Sequence, residues 1–166
     1  MLTKLFGRTK QTTVDIASPL SGEIIGWSDH RSVAASGMRS VDAIAIKPAN
    51  GQIVAPFYGS VSHIADTGHS ITVQHASGLR LKIGIGIHTD ELGGDGFMSH
   101  VRAGDTFRAG DTLIDFDIDT IVASGYSPIT SVVVENAELA KSIEQLVTYG
   151  AVSSGHEIIL RAELIG

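Results

Sequence analysis

The stretch KIGIGIHTDELGGDGF, residues 82–97, decides how this sequence folds. Its first half alternates as a β-strand does, with three isoleucines on one face and Gly84, Gly86 and His88 on the other. Glycine inside a strand is unfavourable because it fixes a flexible backbone and supplies no side chain. Two glycines on one face therefore mark a bulge or a place that another group approaches closely.

Composition describes one compact domain. The chain has 166 residues, of which 43% are hydrophobic and 18% are charged, and it contains 19 glycines. This length provides a real core, and the composition excludes extended disorder. The net charge of −6, with 12 scattered lysines and arginines, argues against a nucleic-acid backbone as partner. Cysteine is absent, which excludes disulfides and thiol chemistry and suits a cytoplasmic protein.

We expect an N-terminal tail over residues 1–15 and a single domain over residues 16–166. The segment MLTKLFGRTK lacks the long apolar region of a secretory signal, and no window reaches the length of a membrane span. Its apolar residues could share one face of a short helix between basic residues, so at most a weak membrane-surface contact through residues 1–10 is conceivable. A frayed tail is the preferred interpretation.

The rest of the chain has the rhythm of an all-β protein, in which short apolar runs alternate with turn residues. One segment, residues 137–148, has the apolar spacing of a helix, with Asn136 as N-cap and Gly150 as stop. The predicted strands cover residues 22–27, 43–47, 52–55, 60–64, 70–74, 79–87, 112–117, 131–134 and 157–164.

Two internal echoes refine this prediction to a β-sandwich with internal duplication. The turn-into-strand pattern of residues 19–24 (PLSGEI) recurs at residues 56–61 (PFYGSV), and RAGDT at residues 102–106 recurs at residues 108–112. Glycine–aspartate pairs of this kind favour tight turns.

Several dispersed blocks, in this order and spacing, resemble one known family. They are SPLSGEI at 18–24, AIAIKP at 43–48, VAP at 54–56, TGH at 67–69, GI at 86–87, EL at 91–92, GDGF at 94–97 and GDTL at 110–113. The chain from about Ile16 to its C-terminus resembles the glucose-type enzyme IIA of the bacterial phosphoenolpyruvate-dependent sugar phosphotransferase system.

The resemblance implies an antiparallel β-sandwich of the enzyme IIA glucose type, here with one short peripheral helix. It also implies a cytoplasmic phosphocarrier that accepts a phosphoryl group from HPr on one histidine and passes it to a sugar-permease IIB domain. A second histidine, in a Thr-x-His element, assists, and Thr67 and His69 match that element. An imidazole suits this chemistry because it is a good nucleophile near neutral pH. No cofactor is expected, and the histidine spacing indicates no zinc site.

The sequence departs from the family at the phosphoryl acceptor. The family pattern H-F-G-I-D-T is matched by GIGIHT at residues 84–89, so Gly84 occupies the acceptor position and His88 stands where an acid is usual. Strand parity places His88 on the face of Gly84 but about 13 Å along the strand. We predict a turn at residues 76–77, which sets His69 opposite Gly84. His88 is therefore either a replacement acceptor or a polar residue that ends a strand.

Two functions remain open after these observations. The first is a relay enzyme IIA, with Thr67, His69 and His88 as catalytic candidates. The alternative is a non-phosphorylatable paralogue, a regulatory protein-binding module that controls uptake or metabolism by occupying the same docking face. The resemblance implies a partner surface around the histidines, for which the candidate residues are Ile71, Gly84, Ile85 and Gly86. Residues 32–42 depart from the family pattern, and the identity of the sugar and of any regulatory partner stays open. A biotin or lipoate carrier is excluded because no lysine sits at the required hairpin tip.

Overall fold

The computed structural model describes residues 13–26 and 43–165, and within these ranges the chain forms fourteen strands. They are β1 Thr13–Ala17, β2 Gly22–Ile24, β3 Ala43–Pro48, β4 Gln52–Val54, β5 Gly59–Ile64, β6 Ser70–His75, β7 Arg80–Gly84, β8 Phe97–Ser99, β9 Thr106–Phe107, β10 Thr112–Phe116, β11 Thr130–Val134, β12 Ala140–Gln145, β13 Gly150–Val152 and β14 Ile158–Leu164. One α-helix, α1 Ile118–Ala123, and two 3₁₀ helices, Thr89–Leu92 and Ala137–Leu139, accompany them.

The strands assemble into antiparallel sheets. The largest has eight strands in the order β13-β2-β3-β11-β7-β6-β5-β9, and two three-stranded sheets have the orders β1-β14-β12 and β4-β10-β8. Every strand pair recorded among the described residues is antiparallel. The predicted all-β antiparallel class is confirmed.

The core lies beneath the central strands of the large sheet, where side chains alternate with period two. Leu81 and Ile83 on β7 are fully buried, whereas Lys82 between them is exposed. Their partners on β6 and β11 are aliphatic and buried as well. Burying one such side chain stabilises the fold by about 1.5–3 kcal/mol. The register of β7 is therefore firmly set, because a slip of one residue would place Lys82 in the core.

The helix predicted over residues 137–148 is wrong. The chain there makes one short 3₁₀ turn and then strand β12, which pairs with β14. The apolar spacing of this segment fits a helix, but only Ile143 of β12 is buried. Pairing with β14 satisfies backbone groups that would otherwise form a sheet edge, and this tertiary interaction overrides the local pattern.

Asn136 has a different role from the predicted N-cap. Its buried side chain accepts a hydrogen bond from the backbone N–H of Arg80 at 2.8 Å and donates one to the carbonyl of Gly78 at 2.9 Å. It therefore ties the β6–β7 turn to the end of β11.

The observed α-helix, α1, follows β10 directly. Asp117 is its N-cap and accepts hydrogen bonds from the backbone N–H groups of Asp119 at 3.0 Å and Thr120 at 3.4 Å. Strand β10 accordingly ends at Phe116, one residue earlier than predicted. The prediction of one short α-helix is confirmed, but the helix lies at residues 118–123 and not at the predicted residues 137–148.

Other boundaries shift by smaller amounts. Strand β1 contains residues 13–15, which the predicted boundary assigns to the tail. Strands β1, β8, β9 and β13 were not predicted; the last three have only two or three residues and at most one buried residue each. The predictions for residues 1–10, Trp27 and residues 32–42 fall outside the described residues. In the described ranges, no helix has the length and apolar character needed to cross a membrane.

Candidate functional site

The β6–β7 hairpin brings the histidine element and the glycine position together. Ser70 on β6 pairs with Gly84 on β7, and the carbonyl of His69 accepts a hydrogen bond from the N–H of Ile85 at 2.8 Å. The predicted pairing of His69 with Gly84 is therefore wrong by one residue. The cause is the turn, which has three residues instead of two and ends in Gly78 with φ of 97°. A glycine in this conformation closes three-residue hairpin loops.

His69 is half-buried and its ring is held in place by Thr67. The Thr67 hydroxyl and the Nδ1 atom of His69 form a hydrogen bond. Burial lowers the pKa of His69 below its ordinary value of 6.5; the nearby Asp90 carboxylate opposes this shift, and the Lys82 ammonium adds to it. The imidazole is consequently neutral at pH 7, which is the state a nucleophilic nitrogen requires.

Gly84 leaves an open notch in the sheet. Its backbone is not in the left-handed region, and a Cβ added to it would meet only the hydroxyl oxygen of Ser131, at 3.1 Å. Ser70 on β6 and Ser131 on β11 both pair with Gly84, so the three residues form one row across the sheet. The backbone does not require glycine here. A residue with a side chain could therefore be accommodated at position 84, and the glycine leaves this part of the sheet surface uncovered.

Gly86, in contrast, is a glycine for conformational reasons. Its φ is 75°, and an added Cβ would collide with the Thr89 side chain and lie 2.7 Å from the carbonyl oxygen of Ser127. The chain turns at this residue, so β7 ends at Gly84 and not at residue 87 as predicted. This is the bend that glycine permits within a strand.

His88 lies beyond that bend, outside the strand. Its φ is 62°, its side chain is exposed, and it makes no side-chain cap to the 3₁₀ helix that follows. The prediction that His88 lies on the same strand face as Gly84 is therefore wrong, because His88 is not part of the strand. Among the described residues, its ring makes no hydrogen bond or ring contact with His69.

The segment after β7 is fixed by three hydrogen bonds. The Thr89 hydroxyl donates to the carbonyl of Ile85, and the N–H of Ile87 donates to Ser127 at 3.0 Å. The Tyr126 hydroxyl donates to Glu91 at 2.7 Å, which raises the pKa of Tyr126.

Asp90 is a site residue that the sequence analysis missed, and Tyr126 helps to fix the segment that carries it. The fixed segment holds Asp90 close enough to His69 to affect its pKa. The sequence feature that could have indicated this role of Asp90 is the acidic pair in TDEL, residues 89–92, directly after His88.

The predicted partner surface changes as well. Ile71 and Ile85 are both 0% exposed, so neither side chain is available to a partner. Ile71 pairs with Ile83 and shares its core-facing side of the sheet, whereas Gly84 and Gly86 stay partly exposed. An apolar contact patch built on the two isoleucines is therefore wrong.

The remaining histidines form no metal centre in the part of the chain that the structure describes. No group of three or more histidine, aspartate or glutamate side chains there could hold a metal ion. His100 pairs with Asp115, with 2.7 Å between Nε2 and the carboxylate oxygen. His75 lies in the hairpin turn region and contacts Phe57 edge-on.

The fold is that of the enzyme IIA β-sandwiches. It resembles the glucose permease IIA from Mycoplasma capricolum with a TM-score of 0.76 and 22% sequence identity, over 91% of this chain and 96% of that one. This likeness shows that the sheets are arranged as in an enzyme IIA sandwich.

Sequence comparison then gives the family. Residues 14–139 match the model of the phosphoenolpyruvate-dependent sugar phosphotransferase system, EIIA 1. Glucose-specific EIIA components of Bacillus cereus and Bacillus anthracis are each 32% identical to the chain over 160 residues, covering 96% of this chain and 97% of theirs. That of Oceanobacillus iheyensis is 32% identical over 80% of this chain and 81% of its own. The chain belongs to this EIIA family, and the resemblance noted in the sequence is confirmed.

Proposed function

We propose that this EIIA protein is a cytoplasmic phosphoryl relay that takes a phosphoryl group from HPr and passes it to the IIB domain of a sugar permease. Family membership supports the relay role. The observation that carries the proposal to this chain is the retained Thr67–His69 pair, in which a neutral imidazole is held by a hydroxyl at the edge of the hairpin.

His69 is the histidine that we assign as the phosphoryl carrier. When the ring proton is on Nδ1, this N–H donates a hydrogen bond to the Thr67 oxygen, and the lone pair lies on Nε2. Nε2 makes no hydrogen bond to any residue that the structure describes, so it is available to an incoming phosphorus. As the new N–P bond forms, the bond between the phosphoryl group and its donor breaks.

The surroundings of His69 fit this role. Gly84 pairs with Ser70, the residue that follows His69, and an added Cβ at Gly84 would meet only the Ser131 hydroxyl oxygen, so this part of the sheet carries no side chain that would exclude a phosphoryl group. The Lys82 ammonium is close enough to affect the pKa of His69, and it supplies positive charge for the phosphoryl oxygens. Asp90 supplies a carboxylate that stabilises the positive charge which develops on the ring.

His88 is the second candidate acceptor. It is exposed, and no described residue fixes its ring. A nucleophile without an orienting partner lacks the arrangement that activates such groups. We therefore place the phosphoryl group on His69 and expect His88 to be dispensable.

The test is phosphorylation by purified enzyme I, HPr and phosphoenolpyruvate, followed by intact-mass measurement at alkaline pH, where phosphohistidine survives. We expect one added phosphoryl group on the parent protein and on His88→Gln, and none on His69→Gln. His63→Gln is the matched control, because this histidine is exposed on β5 and lies outside the site. Labelling that disappears in His88→Gln and persists in His69→Gln would contradict the assignment.

A failure of all labelling has a separate meaning. If a competent EIIA is phosphorylated in the same tube and this protein is not, the relay role is refuted. The glycine at the acceptor position would then favour a protein-binding regulator, and the search would turn to its partners.

A further inference from the structure

A second depression lies at the opposite end of β6 from His69. Its volume is about 520 Å³, which is within the range of about 300–1,000 Å³ typical of small-molecule sites. His75 lies six residues after His69 along the chain, and an extended strand of this length places them about 20 Å apart. The lining residues are Tyr58, Gly59, Ser60, Gln74, His75, Ala76 and Thr106.

Three polar side chains form a row along this groove. Thr106 on β9 pairs with Ser60 on β5, and Ser60 pairs with Gln74 on β6. Residues paired across antiparallel strands project from the same face, so the two hydroxyls and the amide stand side by side. Within the described part of the chain, none of the three side chains makes a hydrogen bond to protein. Three adjacent donor–acceptor groups are therefore available to a ligand.

An aromatic ring and an imidazole complete the groove. Tyr58 is 66% exposed, so the face of its ring is open to a ligand. His75 packs edge-on against Phe57 with ring centroids 5.3 Å apart. Its Nδ1 accepts a hydrogen bond from the N–H of Ser77 at 3.0 Å, so in the neutral ring the proton is on Nε2. Burial lowers the pKa of His75, which keeps this ring a neutral donor.

The lining contains no carboxylate, ammonium or guanidinium group. The nearest charge in the row is Arg80, which pairs with Gln74 across the sheet, and its guanidinium is bound to Glu135 at 3.3 Å. A charged ligand would find no counter-charge in such a groove. Hydroxyl and amide groups both donate and accept, and an exposed aromatic face packs against C–H groups.

We propose that this groove binds a neutral, polyhydroxylated ligand of the size of a free monosaccharide. Tyr58 supplies the platform for the sugar ring, and Gln74, Ser60, Thr106 and His75 bond its hydroxyl groups. The proposal is independent of the phosphoryl relay, because the groove shares no residue with the Thr67–His69 site.

The experiment is a titration of the ¹⁵N-labelled full-length protein with methyl α-D-glucopyranoside, followed by NMR. We expect saturable shifts at residues 58–60, 74–76 and 106, with no change at His69. Tyr58→Ala and Gln74→Leu are each expected to weaken binding about tenfold. Tyr149→Ala is the matched control, since Tyr149 is 81% exposed and lies outside the groove.

Several results would overturn the proposal. Shifts that rise linearly without saturation, or that scatter over the surface, would mean that the groove is not a sugar site. If Tyr58→Ala and Tyr149→Ala bound methyl α-D-glucopyranoside with equal affinity, Tyr58 would not be the residue on which the sugar ring packs. A parallel titration with maltotriose separates a free sugar from a glycan chain: binding of the trisaccharide alone would overturn the free-monosaccharide assignment. Phosphorylation of the parent protein in the relay assay is expected to proceed whatever these titrations show.

Discussion

Replacing Gly84 with histidine tests why one face of β7 is bare. The backbone of Gly84 lies outside the left-handed region, and a new Cβ would meet only the hydroxyl oxygen of Ser131, at 3.1 Å. That hydroxyl makes no hydrogen bond to described residues, so the serine side chain is free to rotate. The fold should therefore accept histidine at this position.

The expected magnitude follows from opposing terms. Removing glycine from a strand interior stabilises a protein by about 0.5–1 kcal/mol. Moving the Ser131 side chain off its present position costs about 0.5–1.5 kcal/mol. The free energy of unfolding of Gly84→His should thus stay within about 1 kcal/mol of the parent value. Gly86→Ala is the contrast: a residue at φ of 75° with its Cβ 2.7 Å from a carbonyl oxygen should lose about 2–4 kcal/mol.

Two assays read the outcome. Urea unfolding gives the stability of each variant. Phosphorylation by enzyme I and HPr then compares His69→Gln with the double variant Gly84→His/His69→Gln, and we expect the double variant alone to regain a phosphoryl group. If Gly84→His is destabilised as much as Gly86→Ala, the position above Gly84 is not open and the reasoning fails.

Three further predictions concern Thr67, the half-buried histidines and Asn136. Thr67→Val removes the hydroxyl that orients His69 and should slow phosphorylation about tenfold, whereas Thr67→Ser should keep most of the rate; equal rates would exclude an orienting role. The pKa values of His69 and His75 lie below 6.5 in the folded protein, so the unfolded chain binds more protons. Urea midpoints should therefore fall as the pH drops below 6.5 and level off above it, and a midpoint constant over about pH 5–8 would contradict this. Asn136→Ala should cost about 1–3 kcal/mol in urea unfolding because two partly buried backbone groups lose their partner, and a loss near zero would show that water replaces it.

Much of the sheet could be predicted from the sequence, because alternation of apolar and polar residues reports burial directly. Leu81, Lys82 and Ile83 show this: the pattern alone identifies which residues of β7 face the core. The Thr67–His69 element was equally visible, since it resembles a family pattern and its partners are only two residues apart.

What could not be predicted depended on turn geometry and on distant pairing. One extra residue in the β6–β7 turn moved His69 from opposite Gly84 to opposite Ile85. The positive φ of Gly86 ended the strand and took His88 off the sheet face. The segment after Asn136 has helical apolar spacing, but it forms a strand because β14 offers it an edge. Each case is set by a neighbour far away in sequence, which local patterns do not report.

Locating the phosphoryl group on the parent protein tests directly whether His69 is the phosphoryl carrier. The protein would be phosphorylated by phosphoenolpyruvate, enzyme I and HPr, digested at alkaline pH and mapped by tandem mass spectrometry. We expect a phosphohistidine at His69, with His88 unmodified. A phosphoryl group at His88, or none at all beside a fully labelled control EIIA, would contradict it.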